Sequence, residues 1–163
     1  MKYFCIGGAL LLTALVQSGW SADSPAATGD MKALNGHWVP TTAVMGGKPY
    51  SEDACKAIHA VFHNGKYSVK VGDQTDKGTY TVDESKDPKT LTIVGTSGPN
   101  KDKTIPAIYE LDKDTLKVCY DLSGGKAAPA KFESAKDSKL FLVTYQRQAT
   151  KSGKSRVRKI DLK

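Results

Sequence analysis

From Leu34 onward, apolar and polar residues alternate in short runs, separated by breaks rich in Gly, Pro, Asn and Asp. No long stretch carries an apolar repeat near 3.6 residues, so the chain reads as strands and not helices. The first strand opens at Gly36-His37-Trp38-Val39-Pro40, runs on towards Met45 and breaks at Gly46-Gly47-Lys48-Pro49. Residues 51–56 read as one helical turn, with Ser51 as its cap and Glu52 and Asp53 favourably placed in its first turn. Residues 57–63 continue that helix or begin a strand. The following Asn64-Gly65, a type I′ hairpin signal, favours the strand.

Further strands are expected over Lys66–Val71, Lys77–Asp83, Thr90–Gly95, Thr104–Leu111, Thr115–Asp121 and Lys139–Arg147, with a short one at Ala130–Phe132. Tyr67, Val69 and Val71 share a face, as do Leu116, Val118 and Tyr120, so Cys119 points the other way. Pro106 places the start of its strand at an edge or a bulge. Tight connections make an antiparallel meander the economical topology, and closing it removes exposed edges. The expected fold is therefore all-β: a small antiparallel up-and-down barrel of about eight strands with one short helix, over residues 34–149. A β-sandwich is the alternative.

Apolar residues make up 39% and charged residues 25% of the 163, an ordinary globular mixture that argues against wholesale disorder and coiled coil. The N-terminus adds a compartment. Lys2, the apolar run Phe4–Val16, and Gly19 and Ser21 as small residues before a cleavage point match a secretory signal over 1–21. Cleavage after Ala26 also fits, and an uncleaved anchor is the alternative. Residues 22–33 read as a flexible leader. Cys5 lies inside the signal, which leaves Cys55 and Cys119. In an oxidising compartment these two form a disulfide or remain buried free thiols.

The net charge of +7 is concentrated in the tail 150–163, where Lys151, Lys154, Arg156, Arg158, Lys159 and Lys163 face only Asp161. Lys154, Arg156, Arg158 and Lys159 are candidates for binding a polyanion: acidic polysaccharide, anionic lipid headgroups or, least available outside the cell, nucleic acid. A solubilising terminus is the plainer reading.

Leu34-Asn35-Gly36-His37-Trp38 resembles the Gly-x-Trp opening of lipocalin-type barrels. Pro88-Lys89-Thr90-Leu91, the run Ile108 to Tyr120, Pro129 and Phe132-Glu133-Ser134 resemble an uncharacterised family of secreted domains common in planctomycete bacteria, over roughly residues 33–148. The chain departs from that family at Ala128-Pro129, where members usually carry Arg-Pro. The resemblance implies the fold and leaves the activity open. The lipocalin-type opening further implies that Trp38 closes one end of the barrel, with Arg147 of the last strand lying across it in a structural cation–π contact.

Residues with chemical potential are few. His59 and His63 share a face, but no motif supplies a third metal ligand beside Asp53, Glu52 or His37, so no metal or cofactor is expected. Gly-x-Ser-x-Gly is absent, and Ser123-Gly124-Gly125 reads as a turn. Cys55 near His59, and Asp112 with Asp114, are weak catalytic pairs, so no enzyme is expected. Tyr67, Tyr80, Tyr109, Tyr120 and Tyr145 remain, as the lining of a ligand pocket or as ordinary core. The resulting expectation is a secreted, monomeric, non-enzymatic domain that binds a small, partly apolar ligand. The alternative is an envelope or matrix interaction module that uses its surface or basic tail.

Overall fold

The computed structural model describes residues 29–149. In chain order the elements are α1 (Gly29–Ala33), β1 (Gly36–Met45), β2 (Lys48–Pro49), α2 (Glu52–Lys56), β3 (Ile58–His63), β4 (Lys66–Val71), β5 (Gln74–Asp83), β6 (Thr90–Ser97), β7 (Thr104–Asp112), β8 (Thr115–Asp121) and β9 (Leu140–Gln148). Every pairing between these strands is antiparallel, and from β3 to β9 each strand pairs with the next. β1 pairs with β3 through Gly36–Trp38 and with β9 along His37–Met45. That second ladder closes eight strands into a barrel and leaves two-residue β2 as an appendage of β1. Closure, rather than two stacked sheets, is how this sheet loses its edges.

Local chemistry accounts for the irregular points. Pro40 cannot donate to a ladder, and the β1–β9 register shifts immediately after it, between Pro40 and Thr42. The shift changes the parity of the strand, so that Trp38 and Ala43 both reach the core. Pro106 lies where β7 is paired with β6 alone, because the β8 ladder begins at Ala107. Asn64 and Gly65 take φ of 46° and 75°, the left-handed pair that a tight hairpin requires. The Ser51 side chain accepts from the Ala54 N–H at 3.2 Å and caps α2.

Three expectations are corrected. Residues 29–33 are not leader: they form α1, and Met31 is buried in the core. No strand forms at Ala130–Phe132. Both edges of β8 are already taken, so the 122–139 connection lies on the barrel's outer wall, where Lys117 Nζ sits 4.8 Å from the Phe132 ring centroid. Cys55 and Cys119 are free thiols, both buried. Cys55 of α2 belongs to the core, whereas Cys119 faces outward from β8 and donates to the Glu133 carbonyl at 3.4 Å, so the barrel wall separates them. Residues 1–28, with the expected signal, and the tail 150–163 lie outside the described residues.

Candidate ligand-binding cavity

An up-and-down meander sends alternate turns to opposite ends of the barrel. The turns at 64–65, 84–89 and 113–114 gather at the α1 end; those at 72–73 and 98–103 gather at the other. The two ends are built differently.

The α1 end is sealed. Trp38 is fully buried, and its indole N–H donates to the Leu34 carbonyl at 2.9 Å. The Arg147 guanidinium lies over the indole, 4.1 Å from the ring centroid. Its N–H groups donate to the carbonyls of Asn35 (2.6 Å), Ala33 (2.7 Å) and Lys113 (3.2 Å) and to Asp114 Oδ1 (2.9 Å). One side chain thus ties β9 to the α1–β1 link and the β7–β8 turn. Asp30 fixes α1 from the other side. Its Oδ2 accepts from Tyr109 Oη at 2.8 Å and Lys89 Nζ at 2.7 Å, while its backbone N–H donates to Glu84 at 3.0 Å. Tyr80 Oη donates to the Met31 carbonyl at 3.3 Å, and its ring meets Phe62 edge-on. Burial, and then the Asp30 carboxylate, raise the Tyr109 pKa; burial alone raises that of Tyr80.

The opposite end is open and holds a cavity of about 330 Å³. Ile58, Val69, Ile93 and Ile105 form its apolar walls, with Tyr67, Tyr120 and Tyr145 among them. Tyr50, Val71 and Leu122 stand at the rim, and they account for three of the four large apolar residues exposed on the described chain (42%, 50% and 38%). Phe141 continues the aromatic wall, stacked on Tyr120 at 6.1 Å and tilted to Tyr50 at 5.7 Å.

The polar groups of the cavity form two sets. Asp76 Oδ2 accepts from Tyr67 Oη at 2.8 Å and from the Asn100 amide at 3.0 Å, and its Oδ1 accepts from the Asn100 backbone N–H at 2.9 Å. These bonds hold the 98–103 loop beside the mouth. Two glycines make room here, Gly78 for the Tyr67 ring and Gly95 for the loop. A Cβ on Gly78 would stand 2.6 Å from the Tyr67 ring, and one on Gly95 would stand 1.8 Å from the Asn100 carbonyl oxygen. Tyr120 and Tyr145 form the second set. Burial pushes the Tyr145 phenol up to about 12 against a lowering by Tyr120, and burial followed by the Tyr145 phenol raises Tyr120 well above its ordinary value. Burial and the Asp76 contact raise Tyr67 as well. The cavity therefore offers neutral hydroxyls and one carboxylate in an apolar setting, which suits binding by hydrogen bonds and apolar contact.

The five tyrosines expected to line a pocket thus divide. Tyr67, Tyr120 and Tyr145 line the cavity, whereas Tyr80 and Tyr109 anchor α1 at the sealed end and do not reach it. Asp76, Asn100, Tyr50 and Phe141 were missed, because nothing in the alternation tells which end of a barrel a residue occupies. The histidines His37, His59 and His63 are exposed, with His37 and His59 beside a groove on the outer wall. Among the described residues no three His, Cys, Asp or Glu side chains come together to hold a metal. Asp114 is engaged by Arg147. No helix among the described residues is long and apolar enough to cross a membrane.

No family model, no curated protein and no solved structure matches this chain.

Proposed function

We propose that the protein is a secreted, non-enzymatic binding domain that takes a small, partly apolar ligand into the open end of its barrel. One observation carries the reading: a cavity of about 330 Å³ opens at a single end, under a rim of exposed Tyr50, Val71 and Leu122. Its size falls within the usual range for small-molecule pockets. Exposed apolar residues gathered at one mouth, and not scattered, are a mark of binding surfaces. Lys2, the apolar Phe4–Val16 run and the small residues Gly19 and Ser21 support export. The Gly-x-Trp opening and the motifs from Pro88 to Ser134 support kinship with lipocalin-type barrels and with the planctomycete family.

Native mass spectrometry of protein taken from its own cells, followed by solvent extraction, tests the reading. A discrete co-purifying mass is expected, and Ile105→Trp, which fills the cavity, is expected to lose it. The same occupancy in the variant contradicts the reading. So does a protein that emerges empty and takes up no short alkyl alcohol.

The basic tail supports a second role compatible with the first, attachment to a polyanion through Lys154, Arg156, Arg158 and Lys159. Salt-sensitive heparin retention that survives deletion of 150–163 contradicts it.

A further inference from the structure

The charge of the cavity lining goes further than its shape, resting on the reading that the cavity binds a ligand. Among the described residues Asp76 is the one Asp or Glu in the wall, and no Lys, Arg or His lines it. Among the described residues Asp76 has no cationic partner within ion-pair distance; its contacts are the neutral Tyr67 hydroxyl and the Asn100 amides. Those donors hold the carboxylate in place without cancelling its charge. The Oδ1 atom accepts from only one of them, which leaves it acceptor capacity. Across the barrel from it, Tyr50, Phe141 and Tyr120 run in sequence along the wall, with centroids 5.7 and 6.1 Å apart. Aromatic rings there offer large apolar area for the body of a ligand. An anion entering the same cavity would meet that carboxylate in a partly desolvated site, with no positive group among the described lining residues; the nearby Lys103 ammonium is taken up by the Pro99 carbonyl at 2.9 Å.

We propose that the cavity selects ligands with a protonated amine head and a short apolar body, and that it discriminates against carboxylates of the same size. Asp76 supplies the charge, and the Tyr50–Phe141–Tyr120 wall across the cavity supplies apolar contact for the body.

Calorimetric titration of the intact protein with hexylamine, hexanol and hexanoate at neutral pH and low salt is the test. These probes each have six carbons and differ in the charge of the head. Hexylamine is expected to bind at least about tenfold more tightly than hexanoate, with hexanol between them. Asp76→Asn is expected to remove most of the amine's advantage over hexanol while hexanol still binds, which also shows that the variant is folded. Hexanoate binding as well as hexylamine overturns the charge selection and leaves the cavity reading standing. An amine advantage that persists in folded Asp76→Asn overturns the role of Asp76. If none of the three probes binds the wild-type protein, the cavity reading itself falls, and this inference with it. Should Asp76→Asn not fold, the comparison on the wild-type protein still decides.

Discussion

Gly36 and Arg147 compete for one space. The Nη1 atom of Arg147 lies 2.7 Å from the point where a Cβ on residue 36 would stand, and Gly36 is held at φ +146°. The glycine two residues before Trp38 therefore serves the arginine: it opens the gap through which the guanidinium reaches both the indole and the Asn35 carbonyl. Gly36→Ala is expected to cost about 2–4 kcal/mol, from backbone strain together with displacement of Arg147. Urea unfolding measures it, and an unchanged midpoint contradicts the arrangement.

The seal itself should be energetically heavy. Trp38→Ala deletes a fully buried aromatic and is expected to cost about 3–5 kcal/mol. Arg147→Lys keeps the charge but not the planar fork that serves three carbonyls and Asp114, so it is expected to cost about 2–3 kcal/mol. A lysine variant as stable as wild type in chemical denaturation would show that charge alone holds this end.

Much of this end was legible in the chain. The Gly-x-Trp string and an arginine at the end of the last alternating run marked the two partners, and period-two alternation marked the strands around them. Asn64-Gly65 and Ser51 also announced their roles, because the turn and the cap are decided by neighbours within a few residues. What depends on distant partners was not legible. Residues 29–33 look too small and polar to fold, yet α1 is held by Tyr80, Tyr109 and Lys89, roughly 50 to 80 positions away. The short alternation at Ala130–Phe132 resembles a strand, but no sheet edge is free to receive it. Side-chain parity placed the five tyrosines indoors without giving their height along the barrel, and height is what separates cavity from seal.

The buried phenols make stability sensitive to alkali. An unfolded tyrosine ionises near pH 10, whereas Tyr67, Tyr80, Tyr109, Tyr120 and Tyr145 are all raised in the fold. Above pH 10 the native state holds more protons than the unfolded state, so stability is complete below that pH and declines above it. The Tyr145 contribution, about 2–3 kcal/mol, is lost as the pH rises through about 12. Phenolate absorbance and far-ultraviolet circular dichroism, followed together, should show late ionisation coincident with loss of strand signal. Gradual ionisation of every tyrosine near pH 10 with the strands intact contradicts this.

Both cysteines of the described chain should react only on unfolding. Cys119 is inaccessible and Cys55 nearly so, at 0% and 3% exposure. Burial also raises the Cys119 pKa and keeps its thiol protonated. Intact mass after alkylation is expected to show neither modified in native buffer and both modified in denaturant without reductant. A species that needs reductant before Cys55 and Cys119 alkylate would establish the disulfide that the barrel wall separates here.

On the proposed reading a ligand enters one end of the barrel, and the other end is a fixed seal. Amide NMR chemical-shift mapping during titration with hexylamine tests this most directly. Shifts are expected at Tyr67, Val69, Asp76, Asn100, Tyr120 and Tyr145, with Trp38, Tyr80, Tyr109 and Arg147 unmoved. Shifts centred on Trp38 and α1, or spread evenly over the outer wall, would contradict it.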